Sequence, residues 1–480
     1  MHVHLIGVAG TGMGALAGLL VKAGYRVTGS DTAFYPPIGP SLERWGVETM
    51  KGWSPNHLVP APDFVVVGNV CRKDNPEARF AIDEGIPYDS MPGALERLFL
   101  SKRKSLVVAG THGKTTSTSL VAWLLSDGGL DPGFLVGGIP ANFGESFALG
   151  HDGGPFVIEG DEYDSAFFEK TPKFFRYRPH AVMLTSIEHD HVDIYPDEAA
   201  YVDAFRGLVA RIPEDGHLVA YAGDPKVREV AKGARCAVTF YAAEGDDTGE
   251  ETPAFLAAKA GPSAFDLFGM GSHLGRVHTP LSGMHNLRNA VGAVALASLG
   301  AGLELPKAIA SLARFRGVKR RQELLGVAGG VYVYEDFAHH PTAVRETLRG
   351  LRERHPHGKL VAAFEPRSAT ASRKTHEAEY PAAFECADLA ILAPVGRKEI
   401  PDAERLDRDG IVAAIRAHGG AAEAPPDLEG VLEAIVARAE RGDVVVLMSN
   451  GAFEGLPGRV EQIFADNGEP RVEMPVNRAV

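Results

Sequence analysis

At 480 residues, with 45% hydrophobic and 23% charged side chains, the chain has the composition of a soluble globular protein and more length than one hydrophobic core ordinarily fills. Three domains are expected. A formal charge of −13 removes any general attraction for nucleic acid or an anionic membrane surface, so an anionic ligand must be held by local devices.

Cys71, Cys236 and Cys386 stand far apart and in no CxxC spacing, which fits free buried thiols in a reducing compartment and argues against a structural zinc site through sulfur. The N-terminal MHVHLIGVAGTG lacks the basic start and long apolar run of a secretory signal. No stretch approaches the ~18 apolar residues of a membrane span, so a cytoplasmic protein is expected.

Residues 1–104 alternate short apolar runs with helical stretches: HVHLIGV, a helix from about Met13 to Ala23, YRVTGSD, then DFVVVGN. That rhythm predicts a parallel sheet with crossover helices, a Rossmann-like domain. GVAGTGMGALA sets Gly10, Gly12 and Ala15 in the G-x-G-x-x-A pattern after strand His2 to Ile6, with Asp31 ending the next strand. Locally this is a diphosphate site open to NAD, FAD or a UDP-sugar. On this segment alone an NAD-dependent oxidoreductase is one reading, and glycines that serve only strand–helix packing are another.

Residues 105–315 predict a central P-loop ATPase on a mainly parallel sheet. The strand SLVVAG runs into GTHGKTT, residues Gly110, Thr111, His112, Gly113, Lys114, Thr115 and Thr116, and then into the helix STSLVAWLLSD. Amides exposed at a helix start can cradle phosphate, Lys114 can reach the outer phosphates of ATP, and the Thr115 hydroxyl can ligate Mg²⁺. Gly113 leaves room for close approach of phosphate. The loop is shortened, with Val108 where the strict pattern has glycine. By itself the loop also fits a non-catalytic nucleotide-binding module.

Acids and histidines follow at strand ends: Glu159, Asp161, Glu162 and Asp164, then Glu188, His189, Asp190, His191 and Asp193. Such oxygen-rich clusters suit Mg²⁺. Zinc competes for His189 and His191 but normally takes three protein ligands. The stretch 242–262, rich in Gly, Asp, Glu and Thr, reads as an exposed excursion.

Residues 316–480 alternate again, through VYVYEDF, a helix after Pro341, KLVAAFEP, LAILAPV and DVVVLMSNG, predicting a second Rossmann-like domain. Arg320 and Arg321 sit at its start, and Asp336, His339 and His340 at a strand end. Arginine is suited to clamp phosphate charge, whereas a surface charge and a helix cap are the plainer reading.

The ordered set GVAGTGMG, GTHGKTT, EGDEYD, EHDHVD, GMHNLRNA, GVKRRQE and DFAHHPT resembles the Mur ligase family over nearly the whole chain. The resemblance implies three α/β domains that bind a UDP-sugar, bind ATP and close over ATP. It implies ATP-dependent joining of an amino acid or peptide to the lactyl carboxylate of a UDP-N-acetylmuramoyl substrate through an acyl phosphate. It assigns Gly7, Gly10, Thr11, Gly12 and Asp31 to the UDP-sugar, and Lys114 to the γ-phosphate. Thr115, Glu159 and His191 go to Mg²⁺, while His285, Asn286, Asn289, Arg321 and Asp336 go to the nucleotide. His339 and His340 become candidates for the incoming peptide.

No lysine lies between His191 and Pro225, where several members carry a carbamylated one, and this marks the branch whose acceptor is UDP-N-acetylmuramate itself. Within that branch, GDEYDSAFF with KFFRYRP, GFLVGGIPANFGES, FEPRSAT and MSNGAF resemble the members that add L-alanyl-γ-D-glutamyl-meso-diaminopimelate in peptidoglycan recycling. L-alanine is the competing acceptor. Lys173, Arg176 and Arg178 could meet the tripeptide's carboxylates, or could belong to a solvated loop. The partners implied are small molecules, with no nucleic acid and no membrane.

Overall fold

A computed structural model describes residues 1–261, 264–397 and 399–466, so the expected third span, 316–480, and Pro262 of the expected excursion run beyond the described residues. Three separate α/β sheets follow one another along the chain. The first has five parallel strands in the order Glu48–Lys51, Arg26–Asp31, His2–Ile6, Phe64–Val67, Tyr88–Ser90. Chain direction across the sheet reverses between His2–Ile6 and Phe64–Val67, and the glycine loop leaves the first of these, at the position where open α/β sheets bind ligands.

The second sheet has ten strands, with Ser105–Ala109 at its centre between parallel neighbours Pro179–Leu184 and Phe156–Gly160. All five residues of the central strand are buried, as its unbroken apolar run requires of a strand covered on both faces. Helices Lys114–Asp127 and Met284–Ala301 pack together, with residues such as Leu120, Leu124, Val291 and Val294 in one core cluster.

The excursion read at 242–262 is corrected here. Ala242 and Ala243 end the strand Ala237–Ala243, and Phe255–Gly261 is a further strand, parallel to it and antiparallel to Ala264–Gly269. Phe255 and Ala257 are buried. The alternation was masked because small alanines stand at both inward and outward positions of FLAAKAG. Only residues 244–254 form the exposed connection.

The third sheet has the order Glu323–Ala328, Val331–Asp336, Val444–Met448, Leu360–Phe364, Leu389–Leu392, Ala422–Glu423, antiparallel in its first pair and parallel elsewhere. Its linker stays tied to the central unit: Lys319 N–H donates to the Ile139 carbonyl at 3.0 Å, and Val318 is buried in the central core.

The basic-aromatic stretch 163–178 docks the central unit onto the first. Arg176 reaches Asp89 at 2.9 Å, Glu96 at 3.2 Å and Glu169 at 3.6 Å, and Arg178 lies 3.8 Å from Glu96. Lys173 pairs with Asp161 at 3.2 Å over the Tyr163 ring. Lys173 and Arg176 are matched by the protein's own carboxylates and are not part of a freely solvated loop, whereas the Arg178 side chain is 57% exposed. All three cysteines are free; Cys71 is buried, its thiol pushed up to about 12 by burial and the nearby Asp31 and Glu77 carboxylates, whereas Cys236 and Cys386 are only half-buried. Among the described residues no helix is long and apolar enough to cross a membrane.

Candidate active site

The glycine loop is fixed by the strand beside it. Thr111 N–H donates to the Ser186 carbonyl at 2.8 Å, the Thr185 hydroxyl donates to the His112 carbonyl at 2.7 Å, and the Thr111 hydroxyl donates to the Glu188 carbonyl at 2.9 Å. Gly113 has φ +78°, and a Cβ there would stand 2.3 Å from Asn289 Oδ1. Glycine is therefore required by the left-handed turn and by the neighbouring helix, in addition to any ligand. Helix Lys114–Asp127 begins directly after it without a side-chain cap, leaving its first amides for an anion.

Register then delivers the acids. Val108 pairs with Glu159, so the carboxylate lies beside the loop: its Oε1 accepts from the Thr115 hydroxyl at 2.9 Å and its Oε2 from Gly137 N–H at 2.8 Å. Burial raises the Glu159 pKa, and the Asp161 charge adds to this. Lys114 Nζ donates to Glu162 at 2.8 Å and to the Gly110 carbonyl at 2.7 Å. Burial opposes the charge on Glu162, but Lys114 and His191, the latter 3.1 Å away, outweigh it and hold the carboxyl down at about 2.

From the third unit, Arg321 donates to the Thr115 hydroxyl at 3.1 Å. Asp336 accepts from Gln322 N–H and Ala338 N–H, both at 2.7 Å, which locks the residue after Arg321 to the third sheet. A cavity of about 510 Å³ opens between the two units, lined by His112, Gly113, Thr116, His285, Asn289 and Arg321 among others. Asn286 and Asp336 also border it, whereas Gly110, Thr111, Lys114 and Thr115 lie outside its wall, around Glu159 and Glu162. A nucleotide-sized space next to a lysine, a hydroxyl, a carboxylate and an arginine is equipped for phosphoryl transfer.

Family models match in the same order: a Mur ligase family catalytic domain over residues 2–103, a Mur ligase middle domain over 108–297, and a Mur ligase glutamate ligase domain over 320–451. The chain is 35% identical over 461 residues to the UDP-N-acetylmuramate–L-alanyl-gamma-D-glutamyl-meso-2,6-diaminoheptandioate ligase of Haemophilus influenzae, covering 96% of this chain and 98% of that one. The Escherichia coli enzyme of the same name is 36% identical, with 98% and 99% covered. The chain belongs to the Mur ligase family. A crystal structure of a murein peptide ligase from Psychrobacter arcticus superposes on it with a TM-score of 0.72 at 34% identity, covering 97% of this chain and 99% of that one.

In this Mur ligase the N-terminal glycine loop lies apart from this cavity, on the first sheet. Gly7 has φ +85°, Gly10 and Thr11 are exposed, and helix Thr11–Lys22 starts without a side-chain cap. Gly12 follows on the same first turn. Asp31 accepts from Ala9 N–H at 2.9 Å and from Thr32 N–H at 2.7 Å, so one of its tasks is to brace the glycine loop from below.

Of the C-terminal histidines, His339 is a quarter exposed and lies 3.9 Å from Asp190. His340 is 4% exposed, accepts from Thr342 N–H at 3.3 Å as the cap of helix Pro341–Arg354, and stacks between His112 and His376. Its ring is thus packed on the protein's own residues in this structure. His189, grouped with His191 in the sequence, faces the Tyr195 carbonyl at 3.1 Å while His191 faces Glu162. The alternation of acid and histidine in EHDHVD thus splits two neighbours onto different partners.

Glu162 and Glu188 were named in the sequence only among their acidic neighbours, and the structure sets them apart as the partners of Lys114, His191 and His112. Glu162 lies past the end of strand Phe156–Gly160, where no period sets its direction. Gln322 was not read from the sequence at all; its Oε1 accepts from Ser282 at 3.0 Å and from Asn286 at 3.4 Å and joins the third unit to helix Met284–Ala301.

Burial, helped by the Arg288 charge, drives the His285 imidazole down to about 4 from its ordinary 6.5. The unfolded chain therefore takes up this proton first, and His285 lowers stability progressively as pH falls from 6.5 towards 4. An NMR titration of His285 is expected to show a midpoint near 4. A midpoint at the ordinary value would contradict the buried, neutral ring.

Proposed function

We infer that this enzyme uses ATP to join the lactyl carboxylate of UDP-N-acetylmuramate to the amino group of L-alanyl-γ-D-glutamyl-meso-diaminopimelate, forming ADP and phosphate. The setting is cytoplasmic recycling of peptidoglycan. The observation that carries this reading is the contact of Arg321, which lines a nucleotide-sized cavity, with Thr115 and through it Glu159, drawn from two domains, in a chain of this ancestry. The peptide acceptor rests on the two relatives' reaction and on their near-complete coverage.

Residues 1–104 hold the UDP-sugar, with the amides after Gly10, Thr11 and Gly12 meeting its diphosphate. Residues 105–315 hold ATP, and the domain that starts at 316 closes over it. Lys114 leaves Glu162 to draw on the terminal phosphate, and its charge is maintained by that carboxylate until then. The Thr115 hydroxyl and Glu159 carboxylate, 2.9 Å apart, are hard oxygen donors that fit Mg²⁺, with His191 beside Glu162 for a second ion. Mg²⁺ bound there supplies neutralising charge to the phosphates. Arg321 adds positive charge from the opposite wall and, with Asp336 anchoring the hinge, excludes water from the acyl phosphate.

A lactyl carboxylate oxygen attacks the γ-phosphorus and the bond to ADP breaks. The peptide amine then attacks the acyl carbon, phosphate leaves with the former carboxylate oxygen, and the amine proton passes to solvent or to a nearby base such as His339. Labelling the lactyl carboxylate with ¹⁸O tests this order. One labelled oxygen is expected in the released phosphate, and unlabelled phosphate would exclude the acyl phosphate.

A further inference from the structure

Among the described residues, His112, Glu188 and His340 form a group of metal-ligand type whose donor atoms all lie within 4.8 Å of one another. His112 Nε2 stands 3.2 Å and His340 Nδ1 3.7 Å from the same Glu188 oxygen. Ligands on a tetrahedral ion with bonds of about 2.1 Å are separated by about 3.4 Å, close to the two spacings to Glu188, and the third is within 4.8 Å.

The bond that an ion would have to replace is weak. His340 is 4% exposed, and the Nδ1 that faces Glu188 makes only the long 3.3 Å contact with Thr342 N–H. A neutral imidazole has one lone pair, so an ion held by Nδ1 takes the place of that helix-cap contact, with Nε2 keeping its proton.

We propose that His112, Glu188 and His340 bind a divalent transition ion of the zinc type, distinct from the Mg²⁺ donors Thr115, Glu159 and His191, and that this ion ties the nucleotide loop to the C-terminal domain. Two imidazoles and a carboxylate suit zinc or cobalt far better than Mg²⁺, and three protein ligands leave one position for water. The three residues come from different places: the nucleotide loop, the segment after strand Pro179–Leu184, and the cap of helix Pro341–Arg354. Bonds from the Thr342 hydroxyl to Glu188 at 2.8 Å and from the Thr370 hydroxyl to Asp190 at 2.6 Å already join the same surfaces. The ion therefore adds to an existing contact and holds the closed arrangement.

The test is titration of the metal-stripped full chain with Co²⁺ in excess Mg²⁺ and without nucleotide. One Co²⁺ per chain is expected, with the strong visible absorbance of four- or five-coordinate cobalt, lost when Zn²⁺ is added. His340→Asn keeps a side chain able to cap the helix and removes the ligand. It and Glu188→Gln are expected to weaken binding at least about tenfold, since even outer-shell changes cost that much. His191→Ala is expected to leave binding unchanged, and thermal melting without metal checks that each variant is folded. Wild-type binding by folded His340→Asn, loss of the signal in folded His191→Ala, or no such absorbance in the parent protein overturns the proposal.

Discussion

Lys114→Ala is expected to lower the kcat for ligation by about 10²–10³-fold, measured as ADP release with all substrates saturating, the scale seen when one preorganised donor to developing charge is removed. The reason lies in the lysine's position. Its side chain is 12% exposed and sits between the Gly110 carbonyl and Glu162, at the start of a helix whose first amides have no side-chain cap. Water cannot replace it there without losing the focused charge. Activity must be referred to folded enzyme, because Glu162 keeps only His191 as a charged partner in the variant. Near-normal turnover would remove Lys114 from the chemistry.

Glu162→Ala is expected to be the more damaging change to stability, by roughly 3–5 kcal/mol, the usual cost of deleting one member of a buried ion pair. Glu162 is 1% exposed and accepts from Lys114, from His191 and from the Tyr201 hydroxyl at 3.2 Å. Its loss strands a buried ammonium beside an imidazole whose own pKa burial lowers and Glu162 raises, with the net shift upward. Urea denaturation of the two proteins at neutral pH measures this. A difference below about 1 kcal/mol would mean that the pair is screened as a surface bridge is. In the double variant Lys114→Ala/Glu162→Ala much of the lost stability is expected to be recovered, because neither member of the pair is then left without the other.

The loop was legible because its information is local. A strand, a glycine in the left-handed region and a helix start occupy ten consecutive residues, and register alone carries Glu159 to Thr115. Both Rossmann-like sheets were legible for the same reason, as strands such as FVVV and VVVLM are fully buried.

What the sequence concealed is what depends on contacts between distant segments. Arg176 was open to two readings until Asp89, Glu96 and Glu169 surrounded it. The burial of His340 was hidden too, because a histidine before Pro341 carries no sign of it. The strand Phe255–Gly261 was hidden by its alanines, and the role of Gly113 was only half seen, since Asn289 approaches from a helix more than 170 residues away. Family resemblance supplied residues such as Asn286 and Arg321, for which local pattern offers no direction.

The central claim is the peptide acceptor. The direct measurement supplies UDP-N-acetylmuramate and ATP together with both L-alanine and L-alanyl-γ-D-glutamyl-meso-diaminopimelate, and resolves the two products by mass. The account predicts the UDP-N-acetylmuramoyl tripeptide as the main product, with one ADP formed per bond. Efficient formation of UDP-N-acetylmuramoyl-L-alanine with no tripeptide adduct would contradict it.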